Sequence, residues 1–450
     1  MRYSWKHIFD PIRSFFSLAP GLAVVGFALL IQPVRGQGLI DPNVRPDPNI
    51  PIKKVTSGYI IHRFHDTSPI SPSGKYIALF RIPFEDRYPV PGDHGEVVLI
   101  NLETGAEEVI DKSFGWEIQV GANVQWGATD EQLFYNQVDT ASWKAFTVMY
   151  NLKTRQSKKI DGWMFMVSRD GKKLVSHNLV NSFYAQSGYG VIVPDAYRSR
   201  NYGLSDQDGI YVTDVASGQS RRVVSLKEMF EKAQPAVGIS DPENYQIYGF
   251  KAMWNPQGTR IMTCMLFYPN DGGRRKVAVL TFKPDGSDVR TAISTTQYAK
   301  GGHHMAWMPD GEHISMNLEI NPEKNGLEIV TFKYDGTNLK EVFNPGSGHP
   351  SYNPKGFPLI VTDAYRHETA VTLNDGYVPV RLINTETGKE TLISKVKIPD
   401  VSDSSFRLDP HPTWDNSGRF VIFNGYDDSS RGVYIADLKH FTQTYQTLNP

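Results

Sequence analysis

The chain repeats one kind of short turn seven times, and an apolar strand follows each copy. A typical copy is Ile70-Ser71-Pro72-Ser73-Gly74, which leads into the alternating strand Tyr76–Phe80. Proline presets φ at such a turn, and glycine accepts the positive φ that ends it. The seven copies begin at Ile70, Gln125, Val167, Trp254, Trp307, Tyr352 and Trp414. One hairpin pair cannot bury its own faces, so repetition on this scale predicts an all-β fold, a seven-bladed β-propeller.

A second glycine hairpin lies between most successive turns, as at Glu103-Thr104-Gly105. Two hairpins per repeat supply the four strands of a propeller blade. The ring must also be closed by an end of the chain, either by Val55–Ile61 or by Thr442–Leu448. The sequence leaves this choice open.

One repeat is longer than the others, because it contains an insertion at Asn181–Asp208. Long loops on a rigid scaffold commonly carry function. The insertion follows the second strand of its blade, which runs back towards the start of the inner strand. We therefore expect the insertion to lie over the end of the channel where the inner strands begin.

The N-terminus is predicted to be a targeting segment. Three cations precede an apolar run from about Phe15 to Ile31, and small residues follow before Gln37. This pattern is typical of a signal peptide over residues 1–36, with an uncleaved membrane anchor as the alternative. A Pro-rich linker at 37–52 and the propeller at 53–450 would follow. We expect a secreted or periplasmic monomer with no membrane span in the mature chain.

The net charge argues against two classes of binding partner, and the cysteine content excludes an internal disulfide. The net charge of −1 does not suggest nucleic acid or an acidic membrane surface as a partner. Cys264 is the single cysteine, so no internal disulfide exists, and its alternating strand predicts a small buried side chain.

Histidines occupy one equivalent position in the last three repeats, seven residues before the turn glycine: His304, His349 and His411. Propeller symmetry places such positions side by side around one mouth of the channel. Neutral imidazole is the commonest protein ligand for transition metals, so the pattern predicts an open site for a divalent metal ion. The alternative is that each ring hydrogen-bonds the backbone of a neighbouring blade. His303, one residue earlier, should point to the opposite side of its strand.

The same count in the other repeats gives Thr67, Val124, Met164 and Lys251. A lysine at a channel mouth is a charge partner for an anionic substrate, or a base when its pKa is lowered. A salt bridge to a neighbouring blade is the alternative role for Lys251.

The motifs around the three histidines resemble those of the propeller polysaccharide lyases, namely oligogalacturonate and ulvan lyases. The resemblance rests on Gly302–Trp307, Gly348–Pro354 and Asp409–Trp414, together with Ser71–Arg87 and Gly188-Tyr189-Gly190. It covers about His62 to Asp437, and the turn signature alone is also similar to that of TolB-type propellers. Lys251 departs from the pattern, since the family often has histidine in that strand.

The resemblance implies the roles of particular side chains. Oligogalacturonate lyases hold manganese with histidines and a glutamine, and His304, His349 and His411 look like those histidines. Ulvan lyases transfer protons with tyrosine and histidine and place an arginine near the substrate carboxylate. By this likeness Tyr184 or Tyr189 would transfer protons, with Arg200 or Arg198 near the carboxylate. With Lys251, which the register count identifies, the catalytic candidates are Tyr184, Tyr189, Lys251 and Arg200, and the substrate-binding candidates are Arg198, Gln125 and His303.

Two functions follow as hypotheses. The first is a lyase that cleaves an anionic, uronate-containing polysaccharide of the ulvan or pectin kind by β-elimination, with Mn, Zn or Ca as its cofactor. The second is a non-catalytic, TolB-like periplasmic propeller that binds a protein or glycan at its mouth.

Overall fold

The computed structural model describes residues 45–448, apart from Asn325, Leu373, Asn374 and Asp428. The predicted signal peptide lies outside the described residues. Within the described part of the chain, no helix is long and apolar enough to cross a membrane.

The described strands form seven four-stranded antiparallel sheets arranged as the blades of a ring, so the predicted β-propeller is confirmed. The first strand, β1 (Ile52–Ser57), belongs to the last blade. Blade 1 contains β2 (Ile60–Ile61), β3 (Tyr76–Arg81), β4 (Gly95–Asn101) and β5 (Glu107–Ser113). Blade 2 contains β6 (Gln125–Trp126), β7 (Leu133–Val138), β8 (Ala145–Asn151) and β9 (Gln156–Asp161). Blade 3 contains β10 (Met166–Val167), β11 (Lys173–Ser176), β12 (Gly209–Asp214) and β13 (Ser220–Ser225).

The remaining blades follow the same order from the inner to the outer strand. Blade 4 contains β14 (Tyr245–Trp254), β15 (Ile261–Pro269), β16 (Lys276–Phe282) and β17 (Arg290–Ile293). Blade 5 contains β18 (Gly302–Trp307), β19 (His313–Leu318), β20 (Glu328–Lys333) and β21 (Lys340–Phe343). Blade 6 contains β22 (Ser351–Tyr352), β23 (Leu359–Thr362), β24 (Tyr377–Asn384) and β25 (Glu390–Lys397). Blade 7 contains β26 (Thr413–Trp414), β27 (Phe420–Tyr426) and β28 (Arg431–Asp437), with β1 as its outer strand.

The helices of the described chain are short. They are α1 (Ser182–Ala185), α2 (Leu226–Lys232), α3 (Thr295–Tyr298) and α4 (Lys439–Leu448). Single 3₁₀ turns lie at Asp195–Tyr197, Pro242–Asn244 and Ser404–Phe406. Two of the helices begin with a capping box, in which Ser225 or Ser294 accepts from the third helical N–H group.

The repeated turn explains how adjacent blades are joined. In three blades the indole N–H of the turn tryptophan donates to the backbone carbonyl just before the same turn of the preceding blade. Trp126 donates to Pro69 (2.8 Å), Trp307 to Met253 (3.2 Å) and Trp414 to Ser351 (3.1 Å). Apolar faces then pack between neighbours, as where Ile77 and Leu79 of blade 1 meet Ile422 of blade 7. The repeat thus supplies the turn, the strand and the contact between blades.

The ring is closed by the N-terminal strand. β1 pairs antiparallel with β28, from Ile52 opposite Ala436 to Ser57 opposite Gly432. The C-terminal alternative, Thr442–Leu448, is instead part of α4, whose Tyr445 ring stacks on Phe357 with centroids 5.4 Å apart. One blade therefore joins the two ends of the described chain.

Candidate active site

A segment of blade 1 leaves its sheet and enters the mouth of the channel. β2 pairs with the end of β3, and Ile70 pairs again with Ile77, but residues 62–69 between them make no ladder with β3. Phe64 in this segment is 1% exposed, and its ring lies 4.6 Å from that of His411. The Lys251 Nζ atom lies 4.0 Å from the centre of the same ring. The candidate residues therefore pack around the buried ring of Phe64.

The three register-matched histidines lie side by side. The ring centroids of His304 and His349 are 3.8 Å apart, and those of His349 and His411 are 4.3 Å apart. His65, from the segment that enters the channel, lies 5.3 Å from His349. His349 and His411 are each 1% exposed, whereas His304 is half-buried.

An unusual backbone conformation aims these side chains into the mouth. Lys251, His304 and His411 have φ values of +57°, +56° and +48°, in the left-handed region. Asn123 shares this conformation with φ of +53°, so Asn123, not Val124, is the equivalent residue in blade 2. The ladder slips at this point in blades 4 and 5, as in a β-bulge, which redirects a side chain.

The bulge also changes the position of His303. Alternation along a regular strand predicts that His303 and His304 point to opposite sides, and this prediction is wrong. Their Nδ1 atoms lie 2.8 Å apart, because the left-handed turn at His304 breaks the alternation. His303 Nε2 lies 3.1 Å from Glu368, and its side chain is 23% exposed. His303 therefore lies at the solvent-accessible edge of the cluster.

Some buried ring nitrogens of the cluster receive no hydrogen bond from a donor. His304 Nδ1 donates to the Gly348 carbonyl (2.7 Å), and His349 Nδ1 donates to the Asp363 carboxylate (2.9 Å). The Nε2 atoms of both histidines lie 3.3 Å from the hydroxyl of Tyr365, which has only one proton to donate. Neither ring nitrogen of His411 has a hydrogen-bond partner among the described residues, and Nε2 lies 3.8 Å from the Asp409 carboxylate. A cation would occupy these unpaired acceptors.

Burial keeps the imidazoles neutral. It lowers the pKa values of His304, His349 and His411 well below the ordinary value, and repulsion from neighbouring histidines and from Lys251 adds to the shift. Burial also lowers the pKa of Lys251 to about 8. No ion pair to this lysine is found in the described chain, in contrast to the salt bridge considered from the sequence. Neutral imidazoles are the form that binds metal ions.

One group of side chains in the cluster has the spacing of a metal site. The ligand atoms of His349, Asp409 and His411 all lie within 4.8 Å of one another, and all three residues are buried. Asp409 also accepts from Arg407 Nε (3.0 Å), and burial still raises its pKa. His349 additionally has the carboxylate partner on its second nitrogen that is typical of metal-binding histidines. These donors fit a divalent cation, with Asp409 added to two of the predicted histidines.

The insertion lies across the mouth, as the strand direction predicts. The Gly188 carbonyl accepts from the Gln119 backbone N–H (3.0 Å), and Gly190 N donates to Glu117 (2.8 Å). Arg407 Nη1, from blade 7, donates to the Ser187 carbonyl (3.1 Å). The insertion of blade 3 thus contacts blades 2 and 7 above the cluster.

Tyr189 is the insertion residue that reaches the cluster. Its ring is 5% exposed and packs edge-on against Phe250, which directly precedes Lys251. Burial raises the pKa of this tyrosine, so its hydroxyl is protonated and able to donate.

The other predicted insertion residues lie further out. The Arg200 guanidinium lies 4.2 Å from the centre of the Tyr184 ring and donates to Gln246 (2.7 Å). Arg198 pairs with Asp195 (2.9 Å). Among the described residues, none of these three side chains contacts the histidines.

Gln125 does not face the channel. Its amide nitrogen donates to the carbonyls of Asn123 (3.1 Å) and Phe165 (2.9 Å), and its amide oxygen accepts from Val167 N (3.2 Å). The amide is therefore used in bonds within blade 2 and to blade 3, and Gln125 is not retained as a substrate-binding candidate.

Several residues of the site were missed from the sequence. They are Phe64, Asp363, Tyr365, Glu368, Arg407 and Asp409. Most lie in loops outside the repeated turn, where the count from the turn glycine gives no position. Asp409 could have been identified from the sequence, because it lies two residues before His411 in Asp409-Pro410-His411.

Comparisons with known proteins support the fold. No family model and no curated protein matches the chain. A solved oligogalacturonate lyase in complex with manganese is 14% identical, with a TM-score of 0.57 over 86% of this chain and 93% of that chain. Another oligogalacturonate lyase, from Vibrio parahaemolyticus, is 17% identical, with a TM-score of 0.58 over 87% of this chain and 94% of that chain. A TolB chain from Agrobacterium tumefaciens is 14% identical, with a TM-score of 0.40 over 75% of this chain and 96% of that chain. At these identities the likeness to the two lyases is one of fold, and the TolB score is too low to support an argument.

Proposed function

We propose that this protein is a polysaccharide lyase that cleaves a uronate-containing polymer of the pectin or ulvan kind by β-elimination. The observation that carries the proposal is the cluster of neutral imidazoles with unpaired acceptors, which lies beside a buried lysine at one mouth of the channel. The oligogalacturonate lyase fold supports it as a scaffold on which this chemistry occurs. Purely structural histidines would have satisfied hydrogen bonds.

The elimination needs a base, an acid and positive charge. A base removes the proton at C5 of the uronate, the C4–O bond breaks, the electron pair forms the C4=C5 double bond, and the leaving oxygen takes up a proton. We assign the base to Lys251, because a pKa of about 8 leaves part of its population neutral near physiological pH. Tyr189 is the proposed acid, since its hydroxyl stays protonated and its ring packs against Phe250, the chain neighbour of Lys251.

Positive charge must lie beside the substrate carboxylate as negative charge develops there. A divalent cation held by His349, His411 and Asp409, with His304 adjacent, would supply this charge when bound. Arg407 is the better arginine partner for the carboxylate, because it lies against Asp409 whereas Arg200 lies at the outer rim. His303 remains a substrate-binding candidate at the accessible edge.

A binding module is the second candidate, and burial of the cluster favours it. Phe64, His349 and His411 are each 1% exposed beneath the insertion, so a polymer reaches them only if the insertion moves. A propeller that binds glycan at its rim needs no such movement. Export to the periplasm or outside the cell, which suits either function, stays a proposal based on residues 1–36.

One experiment with two readouts tests the lyase proposal. The full-length protein is loaded with Mn or Zn, and formation of unsaturated uronate from polygalacturonate and from ulvan is followed by its ultraviolet absorbance. We expect His411→Ala to remove most of the bound metal and the activity, because it deletes a ligand whose ring nitrogens have no hydrogen-bond partner among the described residues. His313→Ala is the matched control, since its imidazole lies near the surface and bonds to Asp310 of the adjacent turn. Equal metal content in both variants, or no unsaturated product from wild-type protein, would overturn the proposal.

A further inference from the structure

A second concave site lies apart from the histidine cluster, between blades 2 and 3. It encloses about 350 Å³ and is lined by Trp163, Asn178, Tyr211, Ser220 and Arg222. This volume is within the range of pockets that hold small ligands. The proposed lyase chemistry uses none of these residues.

The cavity belongs to the same end of the propeller as the histidines. Trp163 directly precedes Met164, which occupies the position in blade 3 that the histidines hold in blades 5–7. Asn178 follows β11 and begins the approach to the insertion. Tyr211 lies opposite Arg222 in the sheet, and Ser220 begins the same strand as Arg222, so the two outer strands of blade 3 line the cavity.

The lining combines one positive charge with aromatic rings. Arg222 is exposed and has no ion pair among the described residues, and it is the single charged side chain of the lining. Trp163 and Tyr211 are half-buried, so each ring has an exposed part. The Arg222 guanidinium hydrogen-bonds the neighbouring Tyr211 hydroxyl and has no carboxylate partner among the described residues. An aromatic face stacks on the apolar face of a sugar ring, and a guanidinium without a carboxylate partner binds a carboxylate through paired hydrogen bonds.

Neutral polar groups complete the lining. The Asn178 side-chain oxygen accepts from the backbone N–H groups of Val180 (3.1 Å) and Asn181 (3.2 Å). These bonds fix the amide and leave its nitrogen as a donor. Ser220 adds a hydroxyl group. Stacking rings, one cation and uncharged donors are the chemistry that recognises an acidic sugar.

We infer that this cavity is a secondary subsite that binds one uronate residue of the polymer, away from the bond that is cleaved. The choice of a uronate polymer rests on the proposed function. The carboxylate would bind Arg222, the sugar face would stack on Trp163, and hydroxyl groups would bond to Asn178 and Ser220. The site would raise affinity for long chains without taking part in the chemistry.

Neighbouring arginines in one strand provide the test. Arg221 precedes Arg222 and is also exposed, but it lines a different cavity together with Asp214. Binding of a defined galacturonate oligomer to the full-length protein is measured by titration calorimetry for wild type, Arg222→Gln, Trp163→Ala and Arg221→Gln. We expect Arg222→Gln and Trp163→Ala to weaken binding by about tenfold or more, and Arg221→Gln to change it by less than about twofold.

Further readouts keep the outcomes distinct. Thermal unfolding checks that Trp163→Ala folds, and Arg222→Gln alone carries the test if it does not. On long polymer, KM should rise in Arg222→Gln while kcat stays unchanged, and a neutral oligomer of equal length should not bind. Equal affinities for Arg222→Gln and Arg221→Gln would overturn the subsite even if unsaturated product forms. Binding that depends on Arg222 without any product would uphold the subsite and refute the lyase.

Discussion

At the scale of single residues, the site depends on three non-glycine residues held in the left-handed region. Such a conformation costs about 1–3 kcal/mol at each position and persists only where the surroundings enforce it. Lys251, His304 and His411 all adopt it at equivalent points of their blades. The folded chain therefore carries backbone strain at three positions that direct two imidazoles and one amine into the same mouth. Strain of this kind is typical of a functional site.

Lys251 makes the stability of the protein depend on pH in a defined window. Its pKa is about 8 in the fold against 10.5 for the ordinary side chain, because burial disfavours the charged form. Between these values the unfolded chain binds more protons, so the contribution of Lys251 to the unfolding free energy rises with pH. Relative to Lys251→Met, metal-free wild type should gain on the order of 3 kcal/mol from pH 8 to pH 10.5.

Chemical denaturation at several pH values measures this difference. Lys75→Met is the matched control, because Lys75 is exposed in the turn of blade 1. Parallel curves for wild type and Lys251→Met across the window would show that burial does not shift the pKa of Lys251.

At the scale of elements, the repeated strands and turns were predictable from the sequence, whereas the segment that departs from the repeat was not. The turn count placed His304, His349 and His411 correctly as neighbours, since equivalent strands of a propeller share one rim. The same count put Thr67 in the inner strand of blade 1, although residues 62–69 leave the sheet. That departure depends on packing between Phe64 and side chains of other blades, which no local pattern contains.

The insertion is an element whose position depends on Gly188. A Cβ atom at Gly188 would lie 2.6 Å from Gln119 Cγ and 2.8 Å from the Ser405 carbonyl, whereas at Gly203 the nearest atom is 3.6 Å away. Both have a left-handed φ, +84° and +70°, so an alanine meets similar backbone strain at each. We expect Gly188→Ala to loosen the insertion from blades 2 and 7, and Gly203→Ala to leave it in place.

Hydrogen exchange of peptides that span residues 183–193 measures this loosening. Exchange should become faster in Gly188→Ala by about tenfold relative to Gly203→Ala, if the clash adds more than about 1.4 kcal/mol to the strain. The same protection in both variants would contradict the role of Gly188 in docking the insertion.

At the scale of the whole molecule, blade number and order followed from the sequence, but ring closure did not. Both ends of the chain contain short runs that suit a strand, so local pattern could not choose between them. The structure shows why the C-terminal run is helical: Phe441 and Tyr445 are four residues apart and pack on the same apolar cluster as Phe357. That contact belongs to the assembled ring and is absent from the sequence pattern.

Closure of the ring by β1 gives the last prediction. Without residues 45–58, β28 becomes an open edge and Ile50 no longer covers the apolar cluster around Leu408 and Trp414. A chain that begins at residue 45 should unfold in one cooperative transition, and one that begins at residue 59 should unfold at a lower temperature or associate through the open edge. Calorimetry and size-exclusion chromatography of the two chains distinguish these results.

Gly432→Ala tests the same contact at full length, because its Cβ atom would lie 2.7 Å from the Thr56 carbonyl and push β1 away from β28. If the shorter chain and Gly432→Ala both keep the melting temperature of the longer chain, then contacts between blades alone hold the ring closed.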